Sequence, residues 1–159
     1  GGKERYHSVY EGLTAGPDAA YVFIHDGARP LVDQETLTRV YTAVQACDAC
    51  VVGMPSKDTV KIADEEGNIS STPNRALVWT IQTPQVFSYP LVKKAYDMQM
   101  QQENALITDD AMVVENMLGT KIRLVEGSYE NLKITTPEDI PVAEAILERK
   151  NVEKRVDKK

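Results

Sequence analysis

The sequence is poor in the residues that most often supply a protein nucleophile or hold a metal. Of 159 residues, two are histidine and two are cysteine. There is no Ser-His-Asp order, no HExxH helix and no cluster of metal-ligand type. Nucleophile-and-base hydrolysis is therefore poorly supplied. Cys47 and Cys50 make a single C-x-x-C. A closed zinc site needs about four ligands, and neither His7 nor His25 makes a local second half. A redox pair of the thioredoxin kind follows a strand and opens a helix. This pair closes a helical pattern and enters a strand, so two ordinary thiols in a reducing, cytoplasmic compartment are expected.

Long apolar runs are also missing. None approaches the roughly 20 residues needed to span a bilayer, and no secretory apolar segment opens these residues. No partner membrane is expected. Apolar residues make up 42% and charged residues 26%, the balance of a globular chain rather than a disordered or fibrous one. The length suits one domain with a real core. The net charge is −6, unevenly spread: Glu148 to Lys159 holds six basic and three acidic residues. The rest of the chain is thus more acidic than the total, which argues against nucleic acid as a partner. Local binding of anionic phosphates stays open. The chain divides into one domain over residues 1–150, with an excursion at 55–75, and a basic tail over 151–159. Gly1-Gly2-Lys3-Glu4-Arg5 begins without methionine or a leading strand, which suggests a cut from something longer or a tag scar.

What is present is centred on Tyr21 to Pro30. The apolar run Tyr21-Val22-Phe23-Ile24 ends abruptly in His25-Asp26-Gly27-Ala28-Arg29-Pro30. A continuous apolar run predicts a strand buried on both faces, the habit of parallel sheets covered by helices. In open α/β sheets the ligand crevice lies beyond the carboxyl ends of the strands. An acid, a glycine and an arginine stand there. Gly27 permits close approach of backbone to ligand, and Arg29 offers a planar fork for phosphate or carboxylate. A lone D-x-x-R would read as a strand, a polar turn and a surface ion pair.

Tyr6, Val9, Tyr10 and Leu13 fall on one helical face, and Ala15-Gly16-Pro17-Asp18 ends that helix. Asp33 caps a second helix, with Leu37, Val40, Tyr41 and Val44 inward. Cys50 to Met54 is a second buried strand. Helix, strand, helix, strand is the pattern of a parallel sheet. From Pro55 to Pro73 the character changes: Thr59-Val60-Lys61-Ile62 and Ile69-Ser70-Ser71-Thr72 flank the turn Asp64 to Asn68 and predict a hairpin. An isolated hairpin is marginal in water. It must lean on something, either a second subunit or its own domain. Leu77 to Gln85 reads as a strand cut short by Pro84. Pro90 opens a helix to about Gln101, with Leu91, Ala95 and Met98 inward. Thr108 caps a helix carrying Ala111, Val114 and Leu118, which Gly119 stops. Ile122 to Val125 and Leu132 to Ile134 read as short strands. Thr136-Pro137 starts a last helix through Ile140, Ala143 and Leu147, and the end beyond Lys150 is expected to fray.

The polar groups at strand and hairpin ends are Ser8, Asp26, Arg29, Thr59, Arg75, Thr83, Thr108 and Lys133. Arg75 and Lys133 suit a phosphate. Thr108 at a helix start adds free N–H groups and a favourable dipole for an anion. Each also has a plainer account: Thr108 as a cap, Lys133 as a strand lysine facing water, Arg75 as a charge at the hairpin base. Phosphoryl or nucleotidyl transfer needs little protein nucleophile and much positive positioning, and this inventory fits it better than hydrolysis.

Gly1-Gly2-Lys3-Glu4-Arg5 with Ser8-Val9, His25 to Pro30, Asp58-Thr59-Val60-Lys61, Asn74-Arg75, Trp79 to Gln85, Thr108-Asp109-Asp110-Ala111, and Val125-Glu126-Gly127 with Asn131 to Asp139 stand in one order and spacing. In these the chain resembles the 2-C-methyl-D-erythritol 4-phosphate cytidylyltransferases of non-mevalonate isoprenoid synthesis, up to about Lys150. The resemblance implies an α/β, Rossmann-like nucleotidyltransferase sheet, incomplete here, with a protruding β-hairpin arm that clasps a homodimer. It implies transfer of a cytidylyl group from CTP to methylerythritol phosphate with release of pyrophosphate, and Mg2+ carried on the nucleotide phosphates. Carried over by residue, Arg75 and Lys133 hold the attacking phosphate. Asp26, Thr83 and Thr108 contact the methylerythritol part, with Arg29 in the same substrate group. Thr59 and Arg75 reach into the partner's site. Gly2, Ser8 and Gly27 line the cytidine side, and Lys133 touches both ligands. Lys3 stands where some members carry an acid. The family's glycine-rich phosphate loop, with its arginine and lysine, does not occur among these residues, so the chain alone is expected to be inactive. The alternatives are a ribitol- or other polyol-phosphate cytidylyltransferase, or a non-catalytic dimerisation module.

Overall fold

The computed structural model describes residue 2 and residues 4–16, 19–102 and 106–156. The predicted turn at Pro17-Asp18 and the side chain of Lys3 lie outside them. In chain order the elements are α1 (Arg5–Ala15), β1 (Tyr21–Ile24), α2 (Gln34–Cys47), β2 (Ala49–Pro55), β3 (Ile62–Ala63), β4 (Ile69–Ser71), a 3-10 turn (Arg75–Leu77), β5 (Trp79–Ser88), α3 (Tyr89–Gln99), α4 (Asp110–Leu118), β6 (Arg123–Glu126) and α5 (Asp139–Val156).

A four-stranded sheet of order β1-β5-β2-β6 forms the centre. Its two faces are covered by different helices. Leu13 of α1, Val92 and Tyr96 of α3 and Val113 of α4 pack on Ala49, Val51 and Phe87. Val40 and Val44 of α2 pack on Cys50, Val52, Val86 and Val125 from the other side. Alternate residues of β2 thus serve opposite cores, which is why Ala49 to Met54 reads as an unbroken apolar run and is buried throughout. Each fully buried Val or Phe contributes roughly 1.5–3 kcal/mol over leaving it exposed.

The sheet is mixed rather than parallel. β2 and β6 are parallel, but β5 runs antiparallel to both β1 and β2. The link from β2 to β5 carries no crossover helix, only the hairpin β3–β4 and a 3-10 turn. A return without a crossover brings the next strand back antiparallel. Among the described residues β1 pairs on one side only, and Phe23 is 39% exposed, so the expected two-faced burial of that strand is not found there.

Pro84 does not end β5, which continues to Ser88. The β2–β5 register jumps from Val51↔Gln85 to Gly53↔Ile81, and β1 has ended at Ile24↔Gln85. Pro84 sits in that bulge, where no ladder N–H is required.

Asp33 caps α2 as expected, accepting from the Thr36 N–H at 2.7 Å. Gly119 ends α4 with φ of 61°, a conformation that costs glycine nothing. The cap of α4 is Asp109, which accepts from the Met112 N–H, not Thr108. A carboxylate outcompetes a hydroxyl at the positive end of the helix. In α3 the inward residues are Val92, Ala95, Tyr96 and Gln99, while Met98 is exposed. The face is set by the contact with α4, one residue round from the apolar stripe. Tyr41 of α2 is likewise half exposed. Leu132 to Ile134 forms no strand; a single backbone bond, Ile134 N–H to Ala28 O at 2.8 Å, ties it to the Asp26 turn. α5 continues past Lys150 to Val156, where the frayed tail was expected, with Arg149 and Lys150 both on Glu130.

Candidate active site

Asp26 is the second residue beyond Ile24, at the carboxyl end of β1. Its carboxylate faces three cations: Lys133 Nζ at 3.0 Å, Arg5 Nη2 at 3.5 Å and Arg29 Nε at 3.9 Å. Its backbone N–H donates to the Thr83 hydroxyl at 3.0 Å, and that hydroxyl also meets His25 Nδ1 at 3.0 Å. Burial pushes the Asp26 carboxyl up, but the Lys133 hydrogen bond and the charges of Lys133, Arg5 and Arg29 outweigh it, and the group lies below its ordinary value. Burial lowers the Arg29 guanidinium against the opposing pull of Asp26.

A depressed carboxylate contributes stability that is present above its unfolded pKa and lost as pH falls through the folded one. Asp26→Asn is therefore expected to lower the melting temperature at neutral pH. The gap to the parent protein should close on acidification below about pH 4, the ordinary carboxylate range. A gap independent of pH would mean that Asp26 acts through shape and not through charge.

Two adjoining pockets meet here. One, of about 140 Å3, is lined by Arg29, Thr83, Thr108 and Asp109 among others. The second, of about 410 Å3, is lined by Ser8, Gly27 and His25 among others. Arg5, Asp26 and Lys133 line both. The sequence-derived substrate residues Asp26, Arg29, Thr83, Thr108 and Lys133 are therefore brought together. Ser8 and Gly27 sit across the wall, and the Gly2 N–H donates to Ser8 Oγ at 2.9 Å. Thr59 and Arg75 line neither pocket. Thr59 is exposed ahead of β3, and Arg75 donates to the Lys57 carbonyl at 3.3 Å. Thr59 precedes the β3–β4 hairpin and Arg75 follows it, both away from these two pockets.

Arg29 is not a free anion fork. Its Nη1 donates to the Asn131 carbonyl at 2.7 Å, so it braces the turn as well as lining the pocket. Among the described residues, Lys133, 46% exposed, is the cation best placed to share its remaining N–H donors with a phosphate.

Several site residues are absent from the sequence-derived group. Arg5 holds Asp110 through two bonds, of 2.9 and 2.7 Å. The Tyr96 hydroxyl donates to the same carboxylate at 2.5 Å. Burial, then the charge of Asp110, raises the Tyr96 phenol well above its usual range. The Asp110 hydrogen bond raises the Arg5 guanidinium further. Gln85 donates to Asp109 at 2.9 Å and accepts the Ala111 N–H at 2.8 Å. The Asp109-Asp110 pair, one cap and one buried acid, was the visible signal; its partners lie too far along the chain to be read.

The family model described as IspD, 2-C-methyl-D-erythritol 4-phosphate cytidylyltransferase, matches residues 1–149. The chain belongs to this family. A cytidylyltransferase of that name from Lachnoclostridium phytofermentans is 53% identical over 147 residues, 92% of this chain and 63% of the relative. One from Caldanaerobacter subterraneus is 49% identical over 150 residues, 94% of this chain and 65% of the relative. Among solved structures, the 4-diphosphocytidyl-2C-methyl-D-erythritol synthase of Anaerococcus prevotii matches with a TM-score of 0.86 at 39% identity, over 93% of this chain and 66% of that one. The family enzyme of Thermus thermophilus matches with a TM-score of 0.82 at 34% identity, over 93% and 71%. The chain thus spans a little under two thirds of the length of the curated relatives it matches.

The loop before Lys133 approaches the sheet closely. A Cβ at Gly127 would stand 2.3 Å from Val52 Cγ1 and 2.7 Å from Gln82 Oε1. Gly127→Ala is expected to cost about 1–3 kcal/mol by overpacking, read as a lower urea midpoint. An unchanged midpoint would mean that the loop is free to lift off the sheet.

Proposed function

We propose that the chain supplies the acceptor side of a cytidylyl transfer from CTP to 2-C-methyl-D-erythritol 4-phosphate. The reading is carried by one observation: Lys133, Arg5 and Arg29 converge on Asp26, beside Thr83, in a chain of this family. An acceptor-phosphate oxygen attacks the α-phosphorus of CTP, and a new P–O bond forms there. The bond to the β-phosphate breaks, and pyrophosphate leaves with its electron pair. The acceptor phosphate is itself the nucleophile, so none is required of the protein. Lys133 holds that phosphate. Asp26, Thr83 and Thr108 contact the hydroxylated carbon chain, and Gly2, Ser8 and Gly27 border the cytidine.

The reaction calls for a divalent cation, magnesium on this reading. Among the described residues no group of three His, Cys, Asp or Glu side chains could hold a metal, and Asp26 is already engaged by three cations. On this reading the ion is carried by the nucleotide phosphates. The exposed apolar side chains Ile62, Ile69 and Leu77 support an arm that docks on a second copy, placing Thr59 and Arg75 at the partner's site. Among the described residues no helix is long and apolar enough to cross a membrane; the cytoplasmic location expected from the sequence belongs to this proposal.

Calorimetric titration tests the proposal, with methylerythritol phosphate, CTP and ribitol phosphate in turn. Saturable binding of methylerythritol phosphate, tighter than ribitol phosphate, is expected. A preference for ribitol phosphate would move the acceptor to the polyols. Binding of neither would leave a dimerisation module, which sedimentation would then reveal. Because no glycine-rich phosphate loop occurs in these 159 residues, pyrophosphate release by the chain alone is expected to be slow.

A further inference from the structure

The segment from Gly127 to Ile134 carries Lys133 yet belongs to no strand or helix. Backbone bonds tie down only its two ends, Gly127 N–H to the Gly53 carbonyl at 3.0 Å and Ile134 N–H to the Ala28 carbonyl at 2.8 Å, so its middle is positioned by side chains. One buried amide supplies two of these contacts, both to β5. Asn131 is 1% exposed. Its amide nitrogen donates to the Thr83 carbonyl at 2.8 Å and to Gln82 Oε1 at 3.2 Å. Gln82 Nε2 in turn donates to the Ser128 carbonyl at 2.9 Å, closing the segment's other end onto β5. The Asn131 backbone carbonyl accepts from Arg29 Nη1 at 2.7 Å. Asn131 therefore touches the strand residue whose hydroxyl receives the Asp26 N–H, and the arginine beside Asp26. Two residues further on, Lys133 reaches the Asp26 carboxylate itself.

We infer that Asn131 is a positioning residue that fixes the height of Lys133 over Asp26 by pinning the 127–134 segment to β5 through its side-chain amide. The inference rests on the proposed role of Lys133 for its functional consequence, but not for its geometry. A loop held by few backbone bonds opens easily, and small displacements of a positioned group cost heavily in a site of this kind. An aspartate at 131 would keep the volume but set a carboxylate against two acceptors, the Thr83 carbonyl and Gln82 Oε1. It would release the segment without emptying the core.

The test uses Asn131→Asp, Asn131→Ala and Gln82→Leu in the full chain, each checked for folding by thermal melting. Two readouts follow. The first is the rate at which an amine-acylating reagent modifies Lys133, resolved by peptide mass spectrometry and normalised to Lys121. It is expected to rise about fivefold or more in either Asn131 variant and by less in Gln82→Leu, as the Asp26 contact loosens. The second is affinity for methylerythritol phosphate, expected to fall about tenfold, the loss of one well-placed charged contact. Faster labelling in variants of a parent that binds no sugar phosphate would sink the function reading and leave the positioning role standing. Folded variants with labelling unchanged within about twofold would overturn the positioning role, whatever the affinity. If both Asn131 variants fail to fold, unchanged labelling in Gln82→Leu overturns it alone, and faster labelling there supports it.

Discussion

Replacing Lys133 by alanine is expected to weaken binding of methylerythritol phosphate about tenfold to a hundredfold. A hydrogen bond from a charged donor contributes about 1.5–3 kcal/mol, and each 1.4 kcal/mol is about tenfold in affinity. The same change should barely move the melting temperature. Lys133 is 46% exposed and its pair with Asp26 is partly screened, so it is worth at most about 1 kcal/mol. That split between affinity and stability is the signature to look for. Arginine at 133 should restore only part of the binding, since a planar fork does not replace a compact ammonium beside Asp26. Parallel loss of affinity and stability would mean that Lys133 holds the loop rather than the ligand. Calorimetry and thermal melting on the same preparations decide it.

Replacing Arg5 by alanine is expected to have the largest effect on stability of any charged substitution in the site. Asp110 is fully buried, and Arg5 is the cation that pairs with it among the described residues. Removing one partner of a buried pair typically costs about 3–5 kcal/mol; because Arg5 is 40% exposed, about 2–3 kcal/mol is expected here. Tyr96→Phe removes only the 2.5 Å hydroxyl contact and leaves the ion pair, so about 1–2 kcal/mol is expected. Urea unfolding at constant slope measures both. If Arg5→Ala proved no worse than Tyr96→Phe, water would be solvating Asp110 in place of the guanidinium. Arg5 also lines both pockets and faces Asp26, so the variant should disturb Asp26 as well. Lys133→Ala and Arg5→Ala share Asp26 as a neighbour and are not expected to add independently.

Short-range chemistry is legible in the order of the residues. Asp33 at the start of α2 reaches three residues along to Thr36, and Gly119 adopts the one turn that stops α4. Asp26 and Arg29 stand at the end of an apolar run, where a strand must deliver them. Their order with Thr83, Thr108 and Lys133 marked the family before any contact was known. Tertiary structure decided the rest, because the partners are distant in sequence. Arg5 and Asp110 are 105 residues apart, and Asn131 meets Gln82 and Thr83 across 49 and 48. No periodicity records such pairs. The antiparallel course of β5, the passage of Pro84 through a bulge and the absence of a strand at Lys133 are likewise settled by neighbours. Local propensity proposes a strand or its end, but pairing and burial choose among the proposals.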